Sequence, residues 1–580
     1  MARISSLNIN TRSTHPPAPK LKIKLKSSMS NTPILVVCWF RTVWSRHCAL
    51  LAQEWHSCSY NREGRLGERG AGVSPRSLEL HEILGTFPDV ISAGKPLLLT
   101  KEYDPADGTK VVKTFLMVST LEPTPQIPYI NPIMLGQNHH ERILREHLEK
   151  FGTKVEYGSE LRSFKQFDDH VLAEIVRQQD GKEIVEQVKA PWLIGMDGAH
   201  SVVRKTLGLE FLGETREGFN IVIGDIRIKS GRREFWERWG NPREQYEDVV
   251  SFLLAGVAID PQAVLASRER SSKKSTKSME GEILFVFGDL IWSSRYRPNI
   301  RMVKQLRVGR VFVGGDAAHC HSPVGGQGLN SSIQDSFNLG WKLALVQKGL
   351  SPSSLLNTYA EERLPVIAEM LDKTELFNQA FKTGGGSEVK RGGDMTQLGV
   401  NYRWSSIVFE ENPEVPIEAP VEDEVHAYSK KSETAARAAD RAPGAPGLVD
   451  LSDNSVTSLF KVFSPSRHTV LIFSSANSEV PRSICDITKH QPQNTVHPIL
   501  ILPKGAATAI TAATVRQGGS FGQVLIDAEG HAFAGYHIQF EAASDSEGVT
   551  VVVVVRPDGV IGARVRGASG VEQYFKRVFA

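Results

Sequence analysis

The run from Gly309 to Asn330 holds the residues best placed to do chemistry on an anionic ligand. An apolar strand, Val311 to Val313, should end at Gly314-Gly315-Asp316, a carboxylate on a tight turn. Pro323 marks a bend, after which Gly325-Gly326-Gln327-Gly328-Leu329-Asn330 opens a helix. Ile333, Phe337, Trp341 and Leu345 recur at i+4, so one face of that helix is expected to be buried. Glycines at a helix N-terminus leave backbone N–H groups unpaired at the positive end of the dipole, which suits a negative charge. His319, Cys320 and His321 do not read as a metal site, because neighbouring side chains in extended backbone diverge and no second cluster has ligand spacing. A GxSxG nucleophile is also missing.

Other segments must bring partners to that turn. In Ala190 to Gly208 a buried strand, Trp192 to Ile194, delivers Asp197-Gly198 to a second turn, with Ser201 and Arg204 on the helix beyond. Asp197 reads either as a ligand-side carboxylate or as a plain N-cap. Arg69 to Leu80 is a glycine turn leading into a helix, with Pro75 in its first turn. Arg76 and Glu79 there read as a surface pair. Gln137 opens an amphipathic helix and is either a ligand contact or a solvated helix start. Phe219 to Ile228 and Glu282 to Trp292 alternate as strands of a second domain.

Together these runs resemble the GD and DG motifs of the class A flavoprotein monooxygenases, the phenol hydroxylase and para-hydroxybenzoate hydroxylase family. The resemblance implies an α/β fold: an FAD-binding Rossmann-like domain, an interleaved β-sheet substrate domain and a C-terminal thioredoxin-like domain. It further implies FAD as cofactor, NADPH or NADH as co-substrate, dioxygen, and hydroxylation of a phenolic or other aromatic substrate through a flavin C4a-hydroperoxide. Cofactor contacts carried over are Arg69, Gln137, Asp197, Asp316, Pro323, Gly325, Gly326, Gly328, Leu329 and Asn330. Tyr296 matches a tyrosine that hydrogen-bonds the substrate's phenolic oxygen in phenol hydroxylase. The acidic residue expected across the pocket is replaced by Ala71, so no carboxylate base is carried over. Met196 stands where the family usually has alanine. No metal is implied. Neither the extra tryptophan motif of flavin halogenases nor the second nucleotide fingerprint of Baeyer–Villiger enzymes is present.

The family also needs a GxGxxG turn near the start to hold the FAD pyrophosphate. Residues Met29 to Val37 read as its leading strand, but Cys38 to Cys48 then contains no glycine. Tryptophan is always TGG, so a reading shifted by one base turns Trp39, Trp44 and Trp55 into glycine. Arg41 is compatible with glycine in that frame, which restores the GxGxxG spacing at positions 39, 41 and 44. His56 to Arg62 then reads as a strand ending in an acidic residue, as a ribose contact requires. The segment from about Cys38 to Arg62 is therefore expected to be an out-of-frame translation; the alternative is a divergent segment, leaving an inactive or FAD-impaired product that acts at most as an association module.

Composition fits that reading. Three of the five cysteines and three of the nine tryptophans fall between Cys38 and Cys58. Eight Lys and Arg but no Asp or Glu precede Glu54, and without those eight the formal charge of +3 becomes −5. The basic balance therefore argues for neither nucleic acid nor membrane as a partner. Residues 1–28 read as a non-native or disordered leader without a signal or spanning segment. Residues 29–400 should interleave the FAD-binding domain (about 29–97, 137–215 and 300–400) with the substrate domain (about 98–136 and 216–299). Residues 401–442 read as a linker, and 443–580 as the thioredoxin-like unit, whose lone Cys485 excludes dithiol chemistry. Pro261 to Gly281 reads as a solvated loop or a second stretch of doubtful splicing. Cys320 and Cys485 form no disulfide framework, so a cytoplasmic setting is expected. The family suggests a homodimer.

Overall fold

The computed structural model describes residues 34–38, 58–60, 72–97, 99–103, 111–116, 118–179, 181–215, 220–231, 249–256, 275–277, 283–296, 299–321, 326–382, 393–411, 426–428, 436–474, 480–505, 521–539 and 550–580. The expectations for residues 1–28 and for Arg69, Ala71, Pro323 and Gly325 lie outside them, as does most of the segment from Cys38 to Arg62.

A six-stranded sheet runs in the order Arg307–Val308, Val311–Val313, Leu193–Met196, Leu35–Cys38, Cys58–Tyr60, Val155–Tyr157. All neighbours are parallel except the first pair. Leu193, Ile194, Val311, Phe312 and Val313 are fully buried, as continuous apolar runs in a two-sided parallel sheet should be. Leu35 lies opposite Leu193, and Leu193 opposite Val311, so the three central strands end nearly level. Gly195 permits the close approach of the next helix: a Cβ there would stand 2.6 Å from Val203 Cβ. The helices Gln327–Gln347 and Thr358–Lys382 cover the sheet through Leu339, Leu343, Tyr359 and Val366.

The second domain is built on an antiparallel sheet ordered Val249–Gly256, Asn220–Gly231, Ile283–Tyr296, Ser275–Lys277. Ser275–Lys277 corrects part of the loop expected over Pro261 to Gly281: three of its residues pair with the end of a long strand. Buried Asp225 accepts a hydrogen bond from the Trp292 indole within this sheet.

The C-terminal sheet has eight strands. Its centre is three parallel strands, His468–Phe473, Val496–Pro503 and Gln523–Asp527, continued by the antiparallel Val551–Val555 and Ile561–Val565. Both faces are covered. Leu471, Phe473 and Val553 pack with Ile333, Phe337 and Ile83, while Val470, Ile472 and Val552 pack with Trp341, Leu345 and Tyr574. The helix Gln327–Gln347 thus sits between the two large sheets. Burial pushes the Cys485 thiol up to about 12, so it is not a thiolate near neutral pH.

Two expectations need correction. The segment 401–442, read as a linker, is packed into the fold where it is described: Tyr402, Ala436, Ala438, Ala439 and Ala442 are buried. Phe409–Glu410 pairs with the C-terminal strand Ile561–Val565, and Arg403 binds Asp440. Alanines let this chain pass between two packed layers. Arg76 and Glu79 are likewise not a surface pair; they are 4% and 0% exposed and bonded at 2.8 Å. Among the described residues, no helix is long and apolar enough to cross a membrane.

The helices Pro75–Leu84 and Gln137–Glu149 are joined by a buried bond of 2.8 Å between His81 Nε2 and His140 Nε2. Burial holds the His140 pKa down to about 4, and burial with the neighbouring His140 and His147 holds His81 well below its ordinary value. Both rings are therefore neutral when folded and gain protons on unfolding. Their contribution is complete above the unfolded value of 6.5 and is lost as pH falls toward about 4. Urea unfolding is expected to show stability dropping by about 1.4 kcal/mol per pH unit per histidine across this window. The slope should be visibly smaller in a His81→Gln, His140→Gln double variant; equal slopes would contradict the assignment.

Candidate functional site

Two described turns lie at the carboxyl ends of the parallel strands, the edge where open α/β sheets bind ligands. Leu193–Met196 releases Asp197 and Gly198; Val311–Val313 releases Gly314, Gly315 and Asp316; the turn after Leu35–Cys38 begins at residue 39, outside the described residues.

The Asp197 turn is ordered from within. Asp197 is buried and accepts from the Val203 N–H at 3.0 Å and from the Ser201 hydroxyl. Ser201 in turn caps the helix Val202–Thr206 by accepting from Arg204 N–H at 2.9 Å. Burial raises the Asp197 pKa, opposed by these donors. The aspartate is thus a turn-former standing outside the N-cap position itself. Arg204 donates to Ala199 O at 2.8 Å and to Ala317 O at 2.9 Å, while its guanidinium lies 3.9 Å from the Phe211 ring centre. It joins the Asp197 turn to the Asp316 turn.

The Asp316 turn is held by a residue that the sequence reading missed, Asp335. This carboxylate is fully buried on the helix Gln327–Gln347. Gly315 N–H donates to its Oδ2 at 3.0 Å, His319 Nε2 lies 2.8 Å from the same oxygen, and Arg363 Nε donates to Oδ1 at 2.8 Å. Burial alone would raise its pKa, but Arg363 and His319 outweigh burial and hold it well below the carboxylate range. His319 is thereby committed to a carboxylate. The two glycines are required: Gly315 has φ +54°, and a Cβ on Gly314 would stand 2.4 Å from Met196 Cε and 2.7 Å from Tyr359 Oη. The Met196 side chain fills the space that the missing Cβ leaves. Asp316 itself is half-buried.

The helix Gln327–Gln347 starts from Gly326, at φ +64° with no side-chain cap. A Cβ on Gly326 would meet nothing within 4 Å, while Gln327, Gly328 and Leu329 behind it are buried. The unpaired N–H groups of such a helix start suit an anionic or electron-rich group. The Asn330 side chain is engaged within the protein. Its Oδ1 accepts from Ser74 N–H at 2.9 Å and Ser77 Oγ at 2.7 Å, and its Nδ2 donates to Gly72 O at 3.0 Å and Gly326 O at 2.9 Å. Both halves of the carboxamide are used in clipping the Gly72 to Ser77 segment onto this helix, so its side chain positions the site. Gln137 is buried at the start of the helix Gln137–Glu149 and donates to Glu141 Oε1 of the same helix at 3.3 Å, which removes the solvated reading. Tyr296 ends the long substrate-domain strand, its backbone opposite Ile221.

Two variants test this geometry. Asp335→Asn should lose about 3–5 kcal/mol of stability in denaturant unfolding, because Arg363 is left buried without its counter-charge. Gly314→Ala should cost about 1–3 kcal/mol by overpacking, and Met196→Ala in the same chain should recover part of that loss. No recovery would mean that the methionine does not set the limit.

Residues 59–374 match the family described as "FAD binding domain". A flavin-dependent monooxygenase of Mycobacteroides abscessus is 36% identical over 362 residues, 60% of this chain and 73% of that protein. Pentachlorophenol 4-monooxygenase of Sphingobium chlorophenolicum is 26% identical over 508 residues, 85% and 86% of the two chains. The solved complex of aklavinone-11 hydroxylase with FAD and aklavinone shares the fold, with a TM-score of 0.71 at 22% identity, covering 94% of this chain and 98% of that one. With its motif turns gathered at one sheet edge and a matching sequence over more than half its length, the chain belongs to the FAD-binding-domain family of flavin-dependent aromatic monooxygenases.

Proposed function

We propose that this protein hydroxylates a phenolic ring, using reduced nicotinamide and dioxygen as co-substrates. The observation that carries the reading is the joining of the Asp197 and Asp316 turns through Arg204, and of the Gly315 turn to the helix Gln327–Gln347 through Asp335. FAD, when bound, would supply hydride acceptance and oxygen transfer. The chain's own residues do the rest. Asp316 is placed to hold the sugar-like chain of the cofactor. The amides of Gly326, Gln327, Gly328 and Leu329, at the positive end of the helix dipole, stabilise negative charge that builds on the ring system during reduction. Arg204 and Asp335 fix the two turns so that these donors need not reorganise. Tyr296 is assigned to the substrate's phenolic oxygen. With alanine at position 71, the phenol ionises without a neighbouring carboxylate, which favours substrates of low phenolic pKa. The likeness to a pentachlorophenol monooxygenase supports that class, since chlorine substituents acidify a phenol.

The proposal includes a restored phosphate turn. Leu35–Cys38 and Cys58–Tyr60 pair in parallel, as the two strands of a dinucleotide-binding unit do, yet the residues between carry no glycine. The family match starts at residue 59, near the end of this segment. Out-of-frame translation there accounts for both facts. The similarity to monooxygenases along most of the chain argues against an inactive association module as the natural role. The C-terminal unit is assigned a thioredoxin-like, non-redox role, and the working enzyme a cytoplasmic setting as a homodimer.

Purified protein with glycines at positions 39, 41 and 44 should bind FAD and oxidise NADPH faster when acidic phenols are added, giving hydroxylated product. The chain as written should bind FAD at least tenfold more weakly. Product formation by neither version across a broad phenol panel would reject hydroxylation. Equal FAD affinity of the two versions would reject the shifted-frame reading.

A further inference from the structure

The turn Arg556-Pro557-Asp558-Gly559 in the C-terminal unit touches all three helices that frame the candidate flavin site. Arg556 is fully buried and grips Glu362 with both ends of its guanidinium, NH1 to Oε1 at 2.8 Å and NH2 to Oε2 at 2.9 Å. Glu362 lies on the helix Thr358–Lys382 and also accepts from Lys342 Nζ at 2.8 Å and Ser405 Oγ at 2.6 Å. The next residue on that helix is Arg363, which binds Asp335, and Asp335 binds Gly315 N–H. Arg556 also lies 5.5 Å from the ring centre of Tyr402, whose hydroxyl accepts from Arg363 NH1 at 3.1 Å. On the turn's other side, the Asp558 and Gly559 carbonyls accept from Arg76 NH2 at 2.9 and 3.2 Å. Arg76 opens the helix whose Ser74 and Ser77 are clipped by Asn330. Trp341 Nε1 of the central helix donates to Asp558 Oδ2 at 3.3 Å. Gly559 has φ +68°, and a Cβ there would meet Ile83 Cδ1 at 2.7 Å, so the turn is fitted closely against the first helix.

A buried, bidentate and fully partnered ion cluster that crosses between two folded units fixes their relative position more sharply than apolar packing does. We propose that this turn is a positioning element for the flavin site, with Arg556 acting through Glu362, Arg363 and Asp335 on the backbone of Gly315 and Asp316. The assignment of the Gly315 turn to flavin rests on the functional reading above; the coupling itself does not. The C-terminal unit is then part of the machinery that shapes cofactor affinity, although none of its residues needs to touch the cofactor.

Hydrogen exchange of the full chain tests this without requiring flavin. In Arg556→Gln, amides in residues 311–320 should exchange at least tenfold faster, while those of the C-terminal strand His468–Phe473 stay within twofold of the parent. Arg556→Lys, which keeps one charged contact, should fall between. If Arg556→Gln does not fold, Asp558→Asn is read against the same limits. Acceleration confined to the C-terminal strands, or uniform throughout the chain, overturns the proposal. In the frame-restored protein, the variant should also weaken FAD binding at least fivefold; unchanged affinity with altered exchange at 311–320 would leave the coupling standing and refute the placement of flavin at this turn.

Discussion

The structure depends on one buried carboxylate. Asp335 has no exposure to solvent, and in that setting an ionised group survives only if opposite charge and donors surround it. Arg363 supplies the charge, and Gly315 N–H and His319 complete the shell. The consequence runs outward. With Gly315 presenting its N–H to Asp335, the helix that carries Asp335 is fixed against the sheet edge. Glycine at 314 then becomes necessary because Met196 and Tyr359 close over it.

A second cluster works by the same rule on a larger scale. Glu362 gathers Arg556, Lys342 and Ser405 in a dry layer between the flavin-side helices and the C-terminal sheet. Here too burial would raise the carboxylate's pKa, and the two cations more than reverse that. Such clusters are poor sources of net stability compared with apolar packing, yet they tolerate almost no misplacement. This favours a unit whose position is set by contact geometry over one tethered by a linker.

Much of this was legible from sequence because the carrying residues are glycines and aspartates at strand ends, and these have few other reasons to occur there. Val311 to Val313 ended at the expected turn, and Ile333, Phe337, Trp341 and Leu345 were buried as their spacing required. The rest was hidden by the same helix. Its other faces carry Gln334, Asp335, Asn338 and Lys342, which periodicity assigns to solvent, yet all four are buried. A helix placed between two sheets has no solvent side, and only its partners, Arg363 and Glu362 some twenty residues on, reveal why polar groups sit there. Arg76 and Glu79 misled for the same reason: their partners, at Asp558 and Arg441, are far away in sequence. The linker reading failed where alanines replaced the bulk that usually marks a core.

The paired histidines carry a further consequence, in the placement of protons. Where the Thr86 hydroxyl donates its proton to His81 O at 3.3 Å, its oxygen accepts from His81 Nδ1–H at 2.8 Å. His81 Nε2 must then be the lone-pair end, and His140 must hold its proton on Nε2 to complete the bond between the rings. His140 Nδ1 is left as a bare acceptor in an apolar setting. Each imidazole is thus confined to one tautomer, opposite to its neighbour, and the pair has a direction running from the helix Gln137–Glu149 to the helix Pro75–Leu84. An incoming proton finds only His140 Nδ1 open, and the N–H formed there would have no acceptor.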